Sequence, residues 1–169
     1  TVFENIVFPE KFSEIIFIDW LIPETEETFE HFVKRMAKPI DEKEKFCLLG
    51  YSFGGIMVQE INKLKPAEKI VILGSIKSQK SMSVTFHLAK KSKIFAKIPE
   101  TYFGEKTLKS YAFFRKLFDP KNPKFWRYFV VQNPHYLKWS INKILDWKFE
   151  ENPDVIQILA DKDIVFPPK

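Results

Sequence analysis

Apolar positions along the chain fall into two patterns. Four short runs are nearly continuous: Glu14 to Asp19, which is rich in β-branched residues, Phe46 to Leu49, Lys69 to Gly74 and Asp154 to Leu159. Runs of this length and composition predict strands buried on both faces of a sheet. Between them the apolar residues recur at helical spacing. Phe29, Phe32, Val33 and Met36 follow the capping stretch Pro23 to Thr28 and predict a helix that Pro39 closes; Ile56, Met57, Ile61 and Leu64 predict a second. Strands alternating with helices place the chain in the α/β class, with a mostly parallel sheet flanked by helices.

The middle of the chain has a different character. Four further helical patterns, around 82 to 97, 105 to 118, 123 to 132 and 135 to 148, are punctuated by Pro99, Pro120, Pro123 and Pro134. Residues 77 to 148 carry 16 Lys plus Arg against only Glu100, Glu105, Asp119 and Asp146, and hold 15 of the 27 aromatic residues. A basic, aromatic surface is one way to bind nucleic acid. Here Phe113, Phe114, Leu117 and Phe118, like Phe125, Phe129 and Val130, recur at helical spacing, which predicts the buried face of packed helices with lysines on the wet face. No nucleic-acid partner is therefore expected. An insertion between the third and fourth strands of a parallel sheet sits above the strand ends where ligands enter. The predicted organisation is a core over 1–75, a helical cap over 76–152 and a return to the core over 153–169.

The 169 residues, 45% hydrophobic and 29% charged, suit one globular domain with a sizeable core. No apolar stretch is long enough to span a bilayer, and the first residues lack the pattern of a signal peptide. The single cysteine, Cys47, cannot close an internal disulfide and favours a cytoplasmic location. No metal-ligand cluster and no phosphate-binding glycine loop is evident, so no cofactor is expected; the oligomeric state is left open.

One motif carries chemistry. Gly50-Tyr51-Ser52-Phe53-Gly54 lies between a predicted buried strand and a predicted helix. In that setting the pentapeptide makes a sharp turn that holds the serine in a strained backbone conformation with its hydroxyl exposed, and glycines at 50 and 54 let neighbouring backbone approach. The helix that follows aims N–H groups and its positive dipole end at the site, with Phe53 N–H as an oxyanion donor. The alternative is an ordinary serine in a glycine-rich turn.

Leu49 to Gly55 resembles the nucleophile elbow of the α/β-hydrolase family. Gln157-Ile158-Leu159-Ala160-Asp161-Lys162-Asp163-Ile164-Val165-Phe166-Pro167 is similar to that family's later strand and acid loop, with Ala160 in place of the usual glycine. The resemblance implies a serine hydrolase acting on a small-molecule ester or related acyl bond, with Ser52 as nucleophile, Asp163 as the acid and Asp161 as its fallback. An acyltransferase would use the same groups, and a non-catalytic binding protein can share the fold.

In this family the base histidine follows the acid. His31, His87 and His135 all precede Asp163, and of these His135 is the better placed for a loop near a pocket. The second oxyanion donor is expected from a glycine-containing loop after an early strand, and no glycine precedes Ile15. The expectation is a piece of a longer protein that supplies both, rather than a degenerate enzyme that kept only its elbow.

Overall fold

A computed structural model describes residues 2–78, 82, 84–104 and 131–161. The described elements, in order, are helix α1 (Phe29–Met36), strand β1 (Cys47–Tyr51), helix α2 (Phe53–Leu64), strand β2 (Lys69–Leu73), helix α3 (Val84–Ser92), the single turn α4 (Ile94–Lys97), a 3-10 turn (Glu100–Phe103), helix α5 (Pro134–Asp146) and strand β3 (Val155–Ile158). The three strands form a parallel sheet in the order β1-β2-β3, with Gly50 opposite Ile72 and Leu73 opposite Ile158. Parallel neighbours need a crossover. Helix α2 supplies it between β1 and β2, and the long insertion supplies it between β2 and β3.

Local chemistry accounts for the helix ends. The Thr28 hydroxyl accepts from His31 N–H at 3.2 Å, Glu30 sits in the first turn of α1, and Lys34 and Arg35 sit in the last, which suits the helix dipole at both ends. Asn133 caps α5 by accepting from Tyr136 N–H at 3.1 Å, with Pro134 in the first turn where it lacks no needed donor. The pattern predicted over 82–97 is two pieces, because Lys93 at φ 51 separates α3 from α4. Of the pattern predicted over 123–132, residues 131 and 132 are not helical; 105–118 and 123–130, with Phe113 to Phe129, lie outside the described residues.

The core lies where α2 meets β1 and β2 and where α1 meets α2. Phe32, Ile56 and Ile72 are fully buried there, and each such side chain contributes about 1.5–3 kcal/mol. Helix α5 joins this core through Trp139, whose ring centroid is 4.6 Å from that of Phe32 and whose Nε1–H donates to Glu27 O at 3.0 Å. Phe103, Tyr136 and Trp147 are buried, and Phe86 and Phe95 pack against the same cluster. The aromatic residues of the insertion that can be described are thus mostly core residues.

Two strand expectations need correction. The run Glu14 to Asp19 forms no strand: Ile15, Ile16 and Phe17 are exposed, and only Ile18 of the four apolar residues packs against the core. An apolar run becomes a strand only where a neighbour takes its N–H and C=O groups, and the described sheet begins at β1. The strands that do form are also buried mainly on one face. Leu48, Ile70, Ile72 and Val155 are buried, whereas Tyr51, Ile156 and Ile158 on the opposite face are exposed.

Candidate active site

Ser52 stands between the last residue of β1 and the first of α2 with φ 52 and ψ −120. Among described non-glycine residues only Glu26, Ser52 and Lys93 have positive φ. Lys93, at ψ 28, lies near the ordinary left-handed basin, whereas the ψ of Ser52 is far outside it. A backbone held there costs on the order of 1–3 kcal/mol, so the surroundings must enforce it. They do so through two backbone bonds: Ser52 N–H donates to Leu73 O at 2.9 Å, and Gly55 N–H donates to Ser52 O at 2.9 Å.

An ordinary serine at a helix start adopts an extended backbone and turns its hydroxyl onto the N–H groups of the first turn. Ser52 does neither; its side chain makes no capping bond. The hydroxyl thus stays outside the helix's own hydrogen bonding, at the N-terminus of a 12-residue helix whose first N–H groups and positive dipole end face the same region.

The glycines around it have unequal tasks. A Cβ on Gly50 would stand 2.2 Å from Gly54 O and 2.7 Å from Gly55 N, so the turn closes only over a bare Cα. A Cβ on Gly55 would stand 2.4 Å from Ser75 Cβ, which brings α2 down onto the chain leaving β2. At Gly54 the nearest atom is Trp20 Cζ2 at 3.8 Å, an ordinary contact. The sequence expectation that 50 and 54 are the close-approach glycines holds for Gly50; the second close approach belongs to Gly55.

Phe53, the residue with the proposed oxyanion N–H, has its ring buried among aromatics. Trp20 stacks on it at 5.3 Å and 13° between planes, Phe29 at 6.0 Å and 23°, and Trp139 meets it edge-on at 6.4 Å. Trp20 also touches Tyr136 of α5, with centroids 5.7 Å apart. Burial raises the Tyr136 phenol well above its ordinary value, so it stays protonated. The segment after Asp19 is therefore a neighbour of the elbow. Pattern reading missed this, because a search for glycine passes over a tryptophan.

Because all three strands are parallel, the residues following β3 leave the sheet at the same edge as Ser52. Gly74 N–H donates to Ile158 O at 2.9 Å, tying the chain after β2 to the end of β3. With one strand between β1 and β3, two strand spacings of about 4.8 Å separate the serine's strand from the strand that leads to the acids. Asp161 is exposed at that end, and Asp163 lies outside the described residues.

None of the histidines is hydrogen-bonded to Ser52 among the described contacts. His31 Nδ1 lies 2.6 Å from Glu27 Oε1 on α1, and His87 is exposed on α3. His135 Nδ1 lies 2.9 Å from Glu100 Oε1, while its Nε2 is buried without a partner.

Glu24, Glu27 and His31 form a group with metal-ligand side chains. An internal cation already serves it: Arg35 Nη1 lies 2.8 Å from Glu27 Oε2. Burial alone would raise the Glu27 pKa, but Glu24 N–H, Arg35 and His31 outweigh it and hold the carboxyl below its ordinary value. The cluster is an ion-paired staple between α1 and the segment that precedes it, and Trp139 of α5 reaches it only through the backbone oxygen of Glu27. A groove of about 390 Å³ lined by Phe17, Leu21, Arg35, Met36, Lys38 and Pro39, among others, does not include Ser52.

No family model matches the chain, and no curated protein or solved structure matches it either. Among the described residues no helix is long and apolar enough to cross a membrane.

Proposed function

We propose that the chain is the core of a serine hydrolase of the α/β-hydrolase fold, with residues 76–152 as its cap, that cleaves an ester or related acyl bond through an acyl-enzyme on Ser52. The observation that carries this reading is the backbone of Ser52, strained at φ 52 and ψ −120 with its hydroxyl unused by the helix it starts. In the proposed reaction Ser52 Oγ attacks the substrate carbonyl carbon and passes its proton to a histidine. Phe53 N–H, together with an N–H of the segment after Asp19, holds the oxyanion. The carbonyl re-forms as the bond to the leaving alcohol breaks, and the histidine returns the proton to that alcohol. Water, deprotonated by the same histidine, then attacks the acyl carbon and frees Ser52.

The order of nucleophile strand, middle strand and acid strand supports Asp163 as the group that orients the histidine, with Asp161 in reserve. In that chain order the histidine follows the acid, and none of the three histidines in these 169 residues does. A second reading is favoured by one contact, the Glu100–His135 pair, whose imidazole is held by a carboxylate through Nδ1 and keeps Nε2 unpartnered. It makes His135 the base.

Rapid mixing of the full-length protein with a p-nitrophenyl ester tests both. The proposal predicts a burst of one nitrophenolate per chain that vanishes in Ser52→Ala and persists in His135→Ala. Loss of the burst in a folded His135→Ala variant favours the second reading. A wild type without a burst, in which no covalent acyl adduct forms, contradicts the hydrolase and acyltransferase readings alike and leaves the binding protein.

A further inference from the structure

We propose that Trp20 is a positioning residue for the oxyanion site, acting through the ring of Phe53. The inference rests on the reading of Ser52 as nucleophile and concerns what fixes the N–H beside it. Phe53 follows Ser52 directly, so any rotation of its backbone moves the N–H that faces the developing oxyanion. A hydrogen bond to an oxyanion requires a donor within a few tenths of an ångström of its place, and small displacements there cost rate without costing much binding.

The bond from Gly55 N–H to Ser52 O holds the peptide plane that carries Phe53 N–H, and the buried ring of Phe53 anchors the first turn of α2 to which that plane belongs. That side chain is a stacked slab between Trp20 at 5.3 Å and Phe29 at 6.0 Å, closed at its edge by Trp139. Phe29 and Trp139 sit on helices of the core. Trp20 belongs to no helix or strand, and its ring reaches Phe53, the neighbourhood of Gly54 Cα and Tyr136 of α5 at once. It is the contact through which a segment without regular structure meets the turn that aims the donor. Aromatic pairs of this kind are worth roughly 0.5–1.5 kcal/mol beyond area burial, enough to hold one rotamer of Phe53.

The test is a double-mutant cycle on the full-length protein with Trp20→Leu, Phe53→Leu and both together, read as kcat, KM and affinity for a trifluoromethyl ketone whose hydrated or serine-bound form carries the oxyanion. Phe53→Leu keeps the N–H and removes only the ring. Each single change is expected to lower kcat and ketone affinity roughly 10-fold with KM within about threefold, and the double change to lower them little further, since both remove the Trp20–Phe53 stack through which Trp20 acts. Trp20→Phe keeps a stacked ring and is expected to restore most of the rate.

A roughly 100-fold additive loss in the double variant, equal losses in kcat and in product-acid binding, or a Trp20→Leu variant within twofold of wild type overturns the proposal. Should Trp20→Leu fail to fold, Phe29→Leu on the other face of the same ring replaces it in the cycle with the same expected pattern. If the wild type forms no covalent adduct at Ser52, it is the nucleophile reading that fails, before Trp20 is tested.

Discussion

The elbow and the run Glu14 to Asp19 have much the same raw material and different outcomes. Both begin as short apolar stretches, yet Cys47–Tyr51 is a strand that delivers Ser52 into a strained turn, and the earlier run forms no strand and is largely exposed. The difference is in what determines each. The turn is fixed largely by contacts within a few residues, with one bond to the next strand: Gly50 meets Gly54, Gly55 N–H meets Ser52 O, α2 starts at once, and Ser52 N–H donates to Leu73 O. A strand is fixed by a partner, and composition says only that a run would suit one if it came.

The comparison is broken most strongly at the turn itself. Gly50→Ala puts a methyl group into backbone with no flexible atom to yield, and is expected to cost about 3 kcal/mol or more in urea unfolding. Gly54→Ala has ordinary room inside a helix and is expected to leave stability unchanged or raise it by up to about 1 kcal/mol. Equal losses at the two positions would mean that the turn is not closed as described.

The ion-paired cluster at the start of α1 has the next largest effect. Glu27→Gln removes the buried carboxylate of the Arg35 pair and leaves only exposed Glu24, 3.6 Å away, and is expected to cost about 3 kcal/mol near neutral pH, the low end for a broken buried pair because Arg35 is partly exposed. Its pH dependence has a definite sign. A carboxyl held below its ordinary value of 4.5 in the folded protein contributes its full stabilisation above about pH 4.5 and loses it as pH falls through the lowered value. Stability measured between pH 7 and pH 3 should fall less steeply in Glu27→Gln than in the wild type; parallel curves would remove Glu27 from the acid limb.

The smallest effect sharpens the other side of the comparison. Ile16, at 62% exposure, is expected to tolerate Thr within about 0.5 kcal/mol, whereas a buried strand position would lose well over 1 kcal/mol. A large loss would mean that a neighbour not among the described residues covers this run.

The same contrast explains what was legible in the sequence. Strands β1 to β3, helices α1 and α2 and the strained serine were all readable, because period, capping residues and the Gly-x-Ser-x-Gly spacing act locally. The aromatic clamp on Phe53 was not, since Trp20, Phe29 and Trp139 lie far apart in the chain and meet only through packing. Gly55 was readable as a glycine but not as the one pressed against Ser75, which depends on how close α2 comes to the chain after β2. Nor could the Glu100–His135 pair be found from spacing, because 35 residues separate its members.

The central claim is that the strained turn makes one hydroxyl in this chain a nucleophile. Treating the folded full-length protein with a fluorophosphonate and mapping the adduct by peptide mass spectrometry tests it most directly. The account predicts a single adduct on Ser52 that disappears in Ser52→Ala; a folded protein that takes no label, or takes it on another residue with Ser52 unmodified, would contradict it.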